Sequence, residues 1–256
     1  MPRVDRIRLY PVKALDGIDV EAADVLAGGT LAGDREYALF DADGEVINGK
    51  RTTQVHELDT DYDPDTGELA VETADGDRQR FCLPDEREQA GRWFGEFFGL
   101  DATLRRDPSL GFVDRREMGP SVVSRATLET VAGWFDELTL DGVRRRLRTN
   151  VEVEGVPAFW EDRFVGEGAP TFTAGDVRFE GVEPCGRCVV PERDPDTGES
   201  LSAFRERFVE KRRETLPDWV DESAFDHWYT VTLIARTPEE SRGRTLRVGD
   251  EVAVVE

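Results

Sequence analysis

Residues 183–191 read Glu183-Pro184-Cys185-Gly186-Arg187-Cys188-Val189-Val190-Pro191, and Asp194-Pro195-Asp196-Thr197-Gly198 follows almost at once. Two cysteines with two residues between them admit several chemistries. In a thioredoxin-type dithiol the pair opens a helix, whose N-terminus lowers the thiol pKa. Here two β-branched residues and a proline come next, then a turn-forming Asp-Pro-Asp-Thr-Gly. That is the composition of a strand and a hairpin, so the pair belongs to a β-rich fold. Half of a zinc site would need two further ligands. Only Cys82, His56 and His227 are on offer, none in a paired motif. A plain buried thiol stays open for each cysteine. Three cysteines do not make a disulfide scaffold.

The same β signature extends outward. Residues 4–12 alternate loosely and end at Pro11-Val12-Lys13, and residues 18–26 form the next extended stretch. Tyr37-Ala38-Leu39-Phe40 meets Val46-Ile47 across Asp41-Ala42-Asp43-Gly44, a hairpin turn. Asp63-Pro64-Asp65-Thr66-Gly67 marks a second hairpin, with strands at 69–73 and 78–83. Residues 85–98 carry Ala90, Trp93, Phe94, Phe97 and Phe98 at helical spacing, as core packing requires. Residues 105–120, rich in Arg, Asp, Gly and Pro, read as a linker. Leu128, Val131, Phe135 and Leu138 then trace an amphipathic helix that Ser124 or Thr127 can cap. The run Arg144-Arg145-Arg146 reads as a solvated helix face. Further strands are expected at 151–153, 171–173, 177–183, 188–190, 228–235 and 246–255, and a charged helix at 202–214. The class is mainly β with some α, an α+β fold in two domains, 1–115 and 116–256.

Charge narrows the function. Asp plus Glu number 55 against 33 Lys plus Arg, a net charge of −22. Lysine occurs only at Lys13, Lys50 and Lys211. An acidic, lysine-poor surface suits a halophilic setting, where dense salt screens self-repulsion. A phosphate backbone wants a basic stripe, and none is present, so nucleic acid is not an expected partner. No apolar run approaches the roughly 18 residues of a membrane span. The N-terminus runs straight into a strand pattern without an apolar leader, so a cytoplasmic protein is expected.

Taken in order, these segments resemble the MOSC family, named for the C-terminal domain of molybdenum cofactor sulfurase. Within it they are most similar in layout to the amidoxime reducing components and their bacterial relatives. An N-terminal MOSC-associated β-barrel domain is suggested by Leu9-Tyr10-Pro11-Val12-Lys13-Ala14-Leu15-Asp16-Gly17, Leu31-Ala32-Gly33-Asp34-Arg35 and Leu39-Phe40-Asp41-Ala42-Asp43-Gly44. The MOSC β-barrel domain, with flanking helices, is suggested by Leu147-Arg148-Thr149-Asn150-Val151, where the family tends to show Arg-Pro-Asn. The Pro184–Gly198 stretch and Val248-Gly249-Asp250-Glu251-Val252 also fit. Two departures stand out: Ala14 where the family often has Ser, and Thr149 in place of Pro.

The resemblance implies a molybdenum-cofactor oxidoreductase in which Cys188 is both metal ligand and catalytic centre. A soft thiolate suits such a metal. It maps the contacts of the cofactor, molybdopterin, onto Lys13, Arg35, Lys50, Arg148 and Asn150. A phosphate needs fixed cations and donors, and an Asn can both donate and accept at a heterocycle edge. Relatives act on N-hydroxylated substrates. No iron–sulfur cluster is expected in this chain, since there are no spare cysteines. Electrons would then come from a separate ferredoxin- or flavoprotein-like donor. The alternatives are a sulfur carrier using a Cys188 persulfide, supplied by another protein because the pyridoxal-phosphate desulfurase domain is lacking, and a non-catalytic cofactor-binding module. Pyridoxal phosphate binding attaches to the family rather than to any residue here.

Overall fold

A computed structural model describes residues 1–114 and 118–255. The first strand, β1 (Arg3–Leu9), shows why its alternation looks loose. Its pairing register shifts between Val4 and Arg6, and this irregularity brings Val4, Ile7 and Leu9 to the same buried face. The following residues give β2 (Ile18–Val20), β3 (Ala22–Asp24), β4 (Tyr37–Phe40), β5 (Leu58–Asp63), β6 (Glu68–Thr73) and β7 (Arg78–Cys82). Then come α1 (Leu83–Phe98), β8 (Thr103–Arg106), β9 (Ser121–Ser124), α2 (Arg125–Ala132), α3 (Leu140–Leu147) and β10 (Val151–Glu154). The chain finishes with β11 (Thr171–Ala174), β12 (Val177–Gly186), α4 (Phe204–Glu214), β13 (Thr230–Arg236), β14 (Thr245–Arg247) and β15 (Val252–Val255). The mixed α+β class agrees with the sequence. The domain boundary expected at 115/116 lies outside the described residues.

Eight strands form the main sheet in the order β15-β11-β12-β13-β9-β10-β1-β2. Only β9 and β10 run parallel, because α2 and α3 carry the chain across between them. The sheet curls without closing into a continuous ladder. An isolated bridge, Arg3 to Glu251, ties β1 to the start of β15, and the Val4 and Val252 N–H groups donate across this seam to the carbonyls of Asp250 and Pro2. The N-terminal segment is therefore woven into the C-terminal one: β1 pairs with β10, and β3 with β14. Smaller sheets, β4-β8 and β5-β6-β7, pack with α1.

Three apolar cores result. One fills the curled sheet around Ile7, Phe164, Phe172 and Phe179. Another joins α1 to the small sheets through Tyr37, Phe81 and Phe94. The third seats α2, α3 and α4 on the outer face of the main sheet through Leu128, Phe135, Phe204 and Phe208.

Several expectations change. Helix α2, capped by the Ser124 hydroxyl accepting from the Thr127 N–H at 3.0 Å, stops at Ala132. Phe135 and Leu138 lie beyond it, and Phe135 is held by stacking on Phe204 at 4.6 Å. The anticipated linker starts as strand β8, which pairs with β4; the turn at residues 41–44 is closed by an isolated Phe40–Val46 bridge and by backbone bonds such as that from the Asp41 N–H to the Glu45 carbonyl at 2.9 Å. Residues 188–190 are not a strand. The chain leaves β12 at Gly186 and enters a single 3-10 turn, Val190–Glu192.

Candidate functional site

A cleft of about 380 Å³ opens where β1, α3 and β12 end. Lys13, Arg35, Lys50, Arg148, Asn150 and Cys188 all line it. So do Arg145, Arg146, Arg187 and Arg193, which makes eight basic residues against three aspartates, Asp16, Asp34 and Asp114. In a chain of net charge −22 this local excess of positive charge is a specific construction.

Backbone strain gathers here. Ala14, Arg35 and Arg148 have φ of 76°, 52° and 54°. Each left-handed non-glycine residue costs roughly 1 kcal/mol, tolerated only where the surroundings fix it. Arg148 takes this conformation as the C-cap of α3. Its Nη2 donates to the Leu15 carbonyl at 2.6 Å, and its guanidinium lies 4.1 Å from the centre of the Tyr10 ring. Arg35 sits 5.0 Å from the same ring and pairs with Asp34, whose carboxylate also accepts from the Tyr10 N–H at 3.0 Å. Buried Tyr10 is thus the platform on which both arginines rest. Burial lowers the pKa of Arg148, while Arg35, also desolvated, is carried the other way by Asp34.

Asn150 is buried and committed to the fold. Its Oδ1 accepts from the Ser121 N–H at 3.2 Å and from the Ser121 hydroxyl at 3.1 Å, and its Nδ2 donates to the Arg8 carbonyl at 3.1 Å. One amide hydrogen remains for a ligand. Lys13 Nζ donates to the Phe112 carbonyl at 2.7 Å and to Asp114 at 2.6 Å, and Lys50 lies 3.8 Å from the other oxygen of Asp114.

Cys188 is a half-buried free thiol. Cys185 differs: Arg187 Nη1 donates to its Sγ at 3.2 Å, while Nη2 donates to the Leu147 carbonyl at 2.7 Å. Arg187, one of the two residues between the cysteines, therefore ties their loop to the end of α3. Among the described residues, no group of three or more His, Cys, Asp or Glu could hold a metal. A metal at Cys188 would find no ready-made cluster of protein ligands among those residues.

The solvated face expected for Arg144–Arg146 is not what forms. Arg144 makes a bidentate pair with buried Glu152 at 2.8–3.0 Å. Arg145 pairs with Asp196 at 2.6 Å. Arg146, buried, donates to the carbonyls of Pro191 and Arg193 and reaches Asp194 at 3.2 Å. These bonds fasten the turn at 194–198 against α3. From the other side, Gly198, with φ of 73°, packs so closely on Thr53 and His56 that a Cβ would lie 3.0 Å from Thr53.

His56, weighed in the sequence only as a spare zinc ligand, also lines the cleft, a place that no motif announced. It hydrogen-bonds the Pro195 backbone, and its Nε2 is buried without a partner among the described residues. Burial, then the Arg193 charge, lowers its pKa and favours the neutral ring.

Residues 1–107 match the MOSC N-terminal beta barrel domain, and residues 118–253 match the MOSC domain. Mitochondrial amidoxime reducing component 2 of Bos taurus is 24% identical, over 79% of this chain and 72% of its own length. The human protein of the same name is 22% identical, over 76% of this chain and 68% of its own. Molybdenum cofactor sulfurase of Oryza sativa subsp. japonica is also 22% identical, over 77% of this chain but only 29% of its own length. Lys13, Arg35 and Lys50 fall in the first matched stretch and Arg148, Asn150 and Cys188 in the second, so the cleft is shared between them, and the chain belongs to the MOSC family.

Proposed function

We propose that the cleft holds a molybdenum cofactor, with Cys188 as the protein's single metal ligand. The protein would reduce N-hydroxylated or N-oxide substrates with electrons from a separate ferredoxin- or flavoprotein-like donor. The observation that carries this reading is a strongly cationic cleft ending at a free thiol in an otherwise acidic chain. The donor set fits molybdopterin. Lys13, Arg35 and Lys50 offer charge to its phosphate, and Arg148 and Asn150 offer donors to its ring system. The buried Nε atoms of Arg146, Arg187 and Arg193, without partners among the described residues, leave donor capacity for a ligand.

When bound, the cofactor supplies two-electron redox chemistry at the N–O bond. The overall change is N–OH plus two electrons and two protons giving N–H plus water. The protein's share is to bind and orient. Tyr10 and Asp34 hold Arg35 and Arg148 in position, and the Arg146 and Arg187 bonds hold the loop that carries Cys188.

The test is elemental and pterin analysis of purified protein together with N-reduction driven by an artificial donor. About one molybdenum and one pterin per chain, with turnover, are expected. Cys188→Ser should abolish turnover and metal retention while circular dichroism stays native. Full activity in that variant would sink the reading. Sulfur transfer is the second reading. It would use the same free Cys188 thiol in the cleft, as the carrier of a persulfide. Sulfur released by reductant, with no pterin, would decide for it.

A further inference from the structure

Lys13 and Lys50 face a carboxylate. Asp114 bridges them, Oδ1 at 2.6 Å from Lys13 Nζ and Oδ2 at 3.8 Å from Lys50 Nζ. These are two of only three lysines in the chain; the third, Lys211, pairs with Glu214 on α4 at 2.6 Å. Arg35 contributes to the same field. Partial desolvation pushes the Asp114 carboxyl up, although its side chain is 66% exposed, but Lys13, Lys50 and Arg35 outweigh it and hold the group below its usual range.

The backbone before Asp114 is built to deliver it. Asp107 accepts from the N–H groups of Ser109 and Leu110 at 3.1 and 3.3 Å, and the Phe112 N–H donates to the Arg35 carbonyl at 2.7 Å. Gly111, with φ of 74°, passes so near the Asp34–Arg35 turn that a Cβ would lie 2.4 Å from the Asp34 carbonyl oxygen. Lys13 Nζ is held by the same segment through the Phe112 carbonyl. A carboxylate between two ammonium groups, beside a guanidinium, has the charge and donor pattern of a bound oxyanion.

We propose that Asp114 is a built-in counter-anion that occupies the Lys13–Lys50 cradle until a phosphate group displaces it. Anion entry is then an exchange rather than a simple addition. A monoanion such as chloride replaces one charge by one and gains little. A phosphate dianion gains a second charge against the cations and prevails. The tethered carboxylate competes at an effective concentration fixed by its short connection, so removing it unmasks the site. This rests on the reading of Lys13 and Lys50 as phosphate contacts.

The test uses the cofactor-free chain and inorganic phosphate at constant ionic strength. Calorimetric titration should show phosphate binding about 10-fold tighter in Asp114→Asn and Asp114→Ala than in the wild type. Lys13→Ala should cancel the gain. Equal or weaker binding in the Asp114 variants, with native circular dichroism, would overturn the proposal. Wild-type protein with 13C-dimethylated lysines gives a check that needs no variant: phosphate should move the Lys13 and Lys50 signals and leave Lys211 still. If neither cradle signal moves at saturating phosphate, the idea fails. Absence of molybdenum or of N-reduction would undo the proposed function and leave these outcomes intact.

Discussion

Glu161 and Arg212 are each almost wholly out of solvent, and neither was visible as special in the sequence. Arg212 pairs with Asp162, donates to the Thr230 carbonyl at 3.3 Å and lies 4.3 Å from the centre of the Phe159 ring. Glu161 accepts from the Ser124 N–H at 3.2 Å, and its other oxygen has no partner among the described residues. Burial, then the neighbouring Asp162, pushes its pKa up to about 7. A carboxyl whose folded pKa lies above its unfolded value favours folding most at low pH, and this contribution fades as pH climbs from the unfolded value through the folded one. Wild-type stability should therefore fall, relative to Glu161→Gln, between about pH 4.5 and pH 7. Urea unfolding of both proteins across that window measures it. Parallel curves would show that Glu161 does not titrate in the fold. At this scale the motif residues were readable because each stands in a recognisable local string. His56, Arg146, Arg187 and Arg193 were not, because their roles depend on backbone carbonyls and loops distant in sequence.

Among the elements, α3 does more than cross over the sheet. Its last turn reaches the segment after Cys188 with two arginines, and its C-cap places Arg148 in the cleft. A heptad-style reading of charge cannot distinguish such a helix from a solvated one, since the acceptors arrive from residues 191–196. Arg146→Met should keep much of the buried volume but lose the bonds to Pro191, Arg193 and Asp194. Loss of charge-assisted bonds of this kind costs about 2–3 kcal/mol, read as a lower urea midpoint. Trypsin or a similar protease should then cut near residues 191–198 sooner than in the wild type. Unchanged cutting would show that the turn holds without α3. The strands were mostly readable from alternation and turn residues. The two that misled did so for physical reasons. Val189 and Val190 have β-rich composition but lead into the 3-10 turn Val190–Glu192, and Arg105-Arg106 looks like linker but is used by β4.

For the whole molecule, the net charge of −22 is spread over a surface that leaves the cleft positive. Self-repulsion between exposed carboxylates is screened within about 10 Å at 0.1 M salt and within about 3 Å at 1 M. The melting temperature should consequently rise between about 0.1 M and about 2 M KCl. A flat or falling trend would deny that the surface is suited to concentrated salt. No helix among the described residues is long and apolar enough to cross a membrane. The mixed fold class could be read from the pattern of elements. The weaving of β1 into the main sheet could not, because sequence alternation tells which face a strand buries and not which strand lies beside it.

That weaving governs the order in which the protein can come into being. Strand β1 pairs with its near neighbour β2 but finds its other ladder partner, β10, about 150 residues later, and β3 finds β14 more than 200 residues later. Until those arrive, Val4, Ile7 and Leu9 have no finished core to enter. Strands β1 and β3 cannot be completed before those partners exist, although the core around α1 draws only on residues 12–104, and folding of the main sheet should be slow and sensitive to chaperone supply. The cleft, lined by residues from Lys13 to Ile234, is complete only when these distant segments have come together, so whatever it binds meets a chain that has already folded.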